Sequence, residues 1–439
     1  MTDYFQRLGD DVGRAWARAG FDAAALPEIA AEALLASPAP DHTSTTAVLD
    51  WVARCPDSRF VRQEDLVPTF AEPPVTVYDG RRFRIDVNLW ATATTAIHQH
   101  AFSGAFQVLG GSSLQTRYRF EPTRRVNAHL AIGDLTLTDM RRLVPGDVCP
   151  IPSGPAFIHG LFHLEHPSAT VVVRSNGDSE SMPQLGYDPP GVASDYLAPS
   201  LAFSQLERRR LQTLGFAQRC DLPELEARIA TVLADSGPLF AYHLVTQVLT
   251  PGLRRRGTPL PVMEAAVERW LGRVSWPDAA LADTLREATI QQIIRQDLTA
   301  RREVLTAPED RLMAAVLLHA ADRGAVERFL TDHDPRVSPR DQILAFIDRV
   351  GAVRYPSDPS MTALGMHVKA VAILRRIIAE SLTFEGLIPR LAELHPDANL
   401  EAERAALKVL DHQLRTRSWF TAWFRTAPGS PTDQNGGTA

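Results

Sequence analysis

"AIHQHAFSGAFQVLGG", residues 96–111, reads as the end of one strand, a loop of small residues, and the start of another strand. Side chains alternate faces along a strand, so residues i and i+2 point the same way. His98 and His100 therefore share a face, with ring nitrogens close enough to hold one ion. About sixty residues later comes "PGDVCPIPSGPAFIHGLFHLEHPSATVVVRS", residues 145–175. Pro145-Gly146 and Pro152-Ser153-Gly154 mark turns around a short strand. On the next strand, Phe157, His159, Leu161 and His163 share one face. His159 lies nearest the turn, and His163 falls about 13 Å further along at ~3.3 Å per residue, so one ion uses only one of them. A pair at i and i+2 plus a single distant histidine describes a three-imidazole site with coordination positions left open. Neutral imidazole suits iron, zinc, copper and nickel, whereas magnesium and calcium prefer oxygen.

Outward from these stretches the chain changes texture twice. Residues 1–70 carry apolar positions at three- and four-residue spacing and predict a helical segment that packs on the strands after it. Residues 71–180 read as short strands cut by Gly, Pro and Asn/Asp turns, the pattern of a closed all-β barrel. "SMPQLGYDPPGVASDYLAPS", within 181–202, is rich in Pro, Gly and Ser and reads as a linker. Residues 203–425 have helical period throughout, each helix with one apolar stripe, and predict a separate all-α domain. Residues 426–439 are polar and rich in Gly and Pro, which predicts a disordered tail. The fold class expected is α+β multidomain, with a β-barrel between N-terminal helices and a helical domain.

Composition narrows the function classes. The 439 residues are 45% hydrophobic and 22% charged, with formal net charge −6 from 46 basic and 52 acidic residues. No basic face is implied, so nucleic acid is not expected as a partner. The three cysteines, Cys55, Cys149 and Cys220, are widely spaced and form no CxxC, which fits a reducing cytoplasm. No run approaches the ~20 apolar residues of a membrane span, and no signal peptide opens the chain. Oligomeric state is not legible.

The two histidine stretches together resemble the paired motifs of the cupin superfamily. His98-x-His100 and the "QVLGG" strand-turn are similar to the first motif; Gly146, Pro152-x-Gly154 and a histidine at 159 are similar to the second. In the first motif the usual glutamate position, counted back from Gly111, falls on Gly104. A glycine there leaves three histidines as ligands, as in thiol dioxygenases of the cysteine dioxygenase type, which the stretch 75–176 resembles in spacing. The resemblance implies a jelly-roll barrel, ferrous iron on His98, His100 and His159, and a small molecule and O₂ as co-substrates. Zinc, nickel or manganese are other divalent ions such a site would take. Those enzymes carry Ser-x-His-x-Tyr or Trp on the strand after the third ligand, where this chain has Thr170, Val172 and Arg174, which argues against cysteine itself as substrate. Gly104 has a second reading, as a position whose backbone needs glycine.

Three further residues are candidates for substrate contact. Gln107 follows the HxH loop and either touches substrate or sits at the surface near a turn. Arg174 is placed to pair with a carboxylate or phosphate, or to extend into solvent. "RFRIDVNLW" alternates cleanly, so Arg84, Asp86, Asn88 and Trp90 face either water or a polar cavity; in the second case Arg84 also grips an anion. His163 and His166 read as solvent-exposed or as orienting a ligand. Among the helical histidines, none has glutamate three residues before it, as a di-iron centre requires. The reading favoured is a mononuclear non-haem iron oxygenase. The alternatives are a cupin isomerase, lyase or hydrolase with a Lewis-acid metal, and a metal-poor module acting through the helices.

Overall fold

The computed structural model describes residues 2–63, 71–91, 94–177, 183–195, 198–355, 358–382, 386–387 and 400–425. The tail expected to be disordered, 426–439, lies outside them. The first helix, α1 (Thr2–Arg18), buries Phe5, Leu8, Val12 and Trp16, a stripe at i, i+3, i+4 spacing. α2 (Leu26–Ala36) buries Leu26, Ala30 and Leu34. α3 (Thr45–Arg54) is capped by Ser44, whose side chain accepts from Ala47 N–H.

Eleven strands come next: β1 (Pro74–Asp79), β2 (Phe83–Trp90), β3 (Thr95–His100), β4 (Gly104–Gly110), β5 (Ser113–Asn127), β6 (Leu130–Leu143), β7 (Val148–Ile151), β8 (Gly154–His163), β9 (Ser168–Ser175), β10 (Leu185–Asp188) and β11 (Val192–Asp195). They form a five-stranded sheet in the order β1-β2-β9-β4-β7 and a closed ring β10-β11-β6-β5-β8-β3, with antiparallel pairing. The period-2 pattern settles what each face meets. Ile85, Val87 and Leu89 of β2, Ala105 and Leu109 of β4, and Val171 and Val173 of β9 form one core with α1 and α2. The alternate residues of the same strands therefore point into the barrel.

The structure departs from the sequence-based expectation in two places. The stretch 181–202, read as a linker, holds β10 and β11, which close the ring; Pro189, Pro190 and Gly191 form the turn between them. Helices from this point also pack on the barrel: Leu130, Ile132 and Val192 share one core with Phe203, Phe240, Val245 and Trp270. Tyr242 Oη donates to Asp188 Oδ2 at 2.8 Å and His243 Nε2 meets Asp195 O at 2.9 Å. The chain accordingly divides at residue 294, into units 1–294 and 295–439, and not at the barrel's edge. The second unit is mostly helical, with the helix Pro308–His319 buried along Leu312–Leu317. It also holds a small ribbon, Arg354–Tyr355 against Asp358–Thr362, so the region 203–425 is not wholly α. No described helix is long and apolar enough to cross a membrane.

Candidate metal centre

β3 and β8 bring the histidines together. Their antiparallel register sets His98 opposite His159, with irregularities on either side of His98. His98, His100 and His159 are 5%, 4% and 3% exposed. One ring nitrogen from each lies within 4.8 Å of the others. His100 Nε2 and His159 Nε2 are 3.0 Å apart. Two ligands at about 2.1 Å from one ion, at right angles to each other, have nitrogens about 3.0 Å apart, so this spacing fits a single transition ion. His98 Nδ1 lies 2.8 Å from Ala96 O. A carbonyl accepts only, so Nδ1 carries the proton and Nε2 keeps its lone pair for a metal.

Electrostatics agree with that role. Burial holds the pKa of His98 below the ordinary imidazole value, against the opposing bond to Ala96. Burial first, then the neighbouring imidazoles and Arg174, hold His100 well below it. Burial, His98 and Arg117 do the same to His159. Neutral imidazole is the ligating form, so the donor set fits a divalent transition ion. Among the described residues this is the one group of three or more such side chains placed to share a metal.

The barrel is closed and carries a three-histidine site. No family model matches the sequence, and no curated protein matches it. Solved structures similar to it include hydroquinone 1,2-dioxygenase from Sphingomonas sp. TTNP3 with 4-hydroxybenzoate bound, at 13% identity and TM-score 0.20, covering 26% of this chain and 71% of that one. The DMSP lyase DddQ from Ruegeria pomeroyi DSS-3 is similar at 22% identity and TM-score 0.21, covering 40% and 92%. A cupin superfamily protein from Desulfitobacterium hafniense DCB-2 is similar at 12% identity and TM-score 0.17, covering 26% and 94%. Likeness at that level bears on no reaction, and the chemistry rests on the site itself.

The triad opens on a cavity of about 230 Å³. Trp90, Phe102, Phe106 and Ile151 give it apolar walls; Asp86, Asn88, Thr170 and Arg174 are polar. Arg174 is thus in the cavity, its guanidinium carbon 3.9 Å from the centre of the Phe102 ring. The polar face of β2 also turns inward, as Asp86, Asn88 and Trp90 show.

The other candidates fall elsewhere. Arg84 does not line the cavity; its Nε donates to Asp86 Oδ2 at 2.8 Å, and Thr76 Oγ1 donates to Oδ1 at 2.8 Å. Its partner is that buried carboxylate. Gln107 is fully buried on the helix-facing side of β4, where its Oε1 accepts from Ala39 N–H at 2.8 Å and its Nε2 donates to Gly146 O at 3.0 Å. It shares a face with Ala105 and Leu109, and that alternation is the signal that places it away from the cavity. Gly104 is glycine for a steric reason: a Cβ there would stand 1.9 Å from Val173 O. His166 is exposed. His163 is buried, with Nδ1 2.9 Å from Ser113 Oγ and 2.8 Å from Ser168 Oγ, and it stacks on Trp90 at 4.7 Å. It stands outside the ligand set and supports a cavity wall. Sequence does not reveal Arg117, which faces His159 across β5 and β8, because that pairing depends on strand register.

Proposed function

We propose that this protein is a mononuclear non-haem iron oxygenase that oxidises a small anionic molecule, with His98, His100 and His159 as the metal ligands. The observation that carries the reading is three buried neutral imidazoles, joined by no fourth ligand among the described residues, at the edge of a cavity lined by the Arg174 guanidinium. Ferrous iron bound there would supply a dipositive charge and open positions for substrate and O₂. The chain's own residues supply the rest. Arg174 pairs with the substrate's carboxylate or phosphate and is held flat by the ring of Phe102. The charge of Asp86 is met by Arg84 and Thr76. Trp90, Phe106 and Ile151 exclude water and strengthen that pairing. The free thiols of Cys55, Cys149 and Cys220 suit a cytoplasmic setting.

The test uses protein loaded with Fe(II) or with Zn(II) and a panel of small carboxylates and phosphate esters. The expected result is O₂ consumption in step with loss of one panel member, by the iron form alone. Turnover of the same compound by the zinc form without O₂ would support the Lewis-acid reading instead. All the residues that line the cavity belong to the unit 1–294.

A further inference from the structure

Behind the triad lies a second group of polar side chains that the metal chemistry does not use. On β5, Gln115 and Arg117 are two residues apart and share a face. Arg141 of β6 is the direct cross-strand partner of Gln115, and Cys149 of β7 completes the group. Arg141 Nε donates to Gln115 Oε1 at 3.2 Å and its Nη2 donates to Cys149 Sγ at 2.9 Å. The Cys149 thiol in turn donates to Gln115 Oε1 at 3.8 Å. Arg117 lies over the Phe157 ring at 4.0 Å, and that ring packs on His159 at 4.5 Å. None of the four lines the metal cavity.

The group is rich in donors and short of acceptors. Gln115 is 1% exposed, yet its Nε2, with two N–H groups, has no hydrogen-bond partner among the described residues. The Arg117 Nε is also without one. Asp139, the exposed cross-strand partner of Arg117, adds some attraction but forms no ion pair with it among the described residues. Burial pushes the Cys149 thiol up, so it stays protonated and is itself a donor. Leaving buried donors unmet is destabilising, and two guanidinium groups sharing one face repel unless an anion sits with them.

We propose that Gln115, Arg117, Arg141 and Cys149 form a second binding site, separate from the metal cavity, for a small oxyanion. The anion would accept from Gln115 Nε2 and from the two guanidinium groups, on the side open to solvent through the exposed Arg141. The inference is independent of the oxygenase reading, since it concerns binding and no chemistry.

Isothermal titration of the full chain with inorganic phosphate, and separately with acetate, tests it. Titrated in an Arg174→Met background, which removes the anion contact of the metal cavity, the chain should bind one phosphate, and adding Arg117→Met or Arg141→Met should each weaken that binding at least tenfold. Binding of phosphate over acetate would assign a phosphate ligand, and the reverse order a carboxylate; either supports the site. Should Arg117→Met fail to fold for want of its stacking on Phe157, Arg141→Met and Gln115→Leu carry the comparison. No binding in the Arg174→Met background, or unchanged affinity there when Arg141→Met is added, would each overturn the proposal.

Discussion

Neutral imidazole is the form that offers a lone pair to a metal, and desolvation holds His98, His100 and His159 in it. The same burial links the site to acid stability. The native pKa values lie below the unfolded value of about 6.5, so as pH falls the unfolded chain takes up protons first. Stability is therefore intact above that value and is lost as pH falls from it toward the depressed native values. Thermal unfolding of metal-free protein should show Tm falling between about pH 7 and pH 5. Replacing all three histidines with glutamine should make that dependence shallower, leaving the part due to His243 and His319, which burial also holds below the ordinary value; an equally steep fall in the triple variant would show that other groups cause it. Arg174 gives a second expectation at this scale. Removing a charged partner costs about 1.5–3 kcal/mol, so Arg174→Met should weaken binding of an anionic ligand by roughly 10–100-fold. Metal content should be unchanged, which separates a substrate contact from a collapsed site.

Which face of a strand a residue occupies decides its role, and Gln107 is the clearest case. On β4 it sits between Ala105 and Leu109, ties the barrel to the N-terminal helical segment through Ala39, and holds the turn before β7 through Gly146. Gln107→Leu should cost about 1–3 kcal/mol, because the Ala39 N–H and Gly146 C=O lose their partner in a buried place. Chemical denaturation measures that loss, and unchanged Fe(II) affinity alongside it would place Gln107 in the scaffold. A loss of metal with no loss of stability would restore it to the site. That His98 and His100 share a face, and that the polar residues of β2 share another, was legible in sequence because period 2 alone sets it; which way the β2 face turns, and that His159 meets the pair, depended on strand pairing. The partners of Arg84 and His163 were not legible, since they depend on which strands become neighbours and in what register. β10 and β11 were masked by composition: a hairpin built around Pro189-Pro190-Gly191 looks like a linker until the barrel needs it for closure. Gly104 illustrates the same limit, because the backbone that crowds it comes from β9, some seventy residues away.

At the scale of the chain, the helices from Gln205–Arg219 to Leu260–Leu271 share a core with β6 and β11. A chain ending at residue 202 would expose Leu130, Ile132 and Val192 to water, and should aggregate on expression. One ending at residue 300, the close of the helix Ala279–Ala300, keeps that core and should remain monodisperse by gel filtration and bind metal. Equal behaviour of the two would mean that the helices are dispensable to the barrel. The claim on which the rest depends is that one transition ion sits among His98, His100 and His159. A crystal grown with Fe(II) under anaerobic conditions, measured at the iron absorption edge, addresses it directly. The expected result is one anomalous peak at about 2.1 Å from a ring nitrogen of each histidine, with His163 outside bonding distance. No peak there, or a peak bound through His163, would contradict the account.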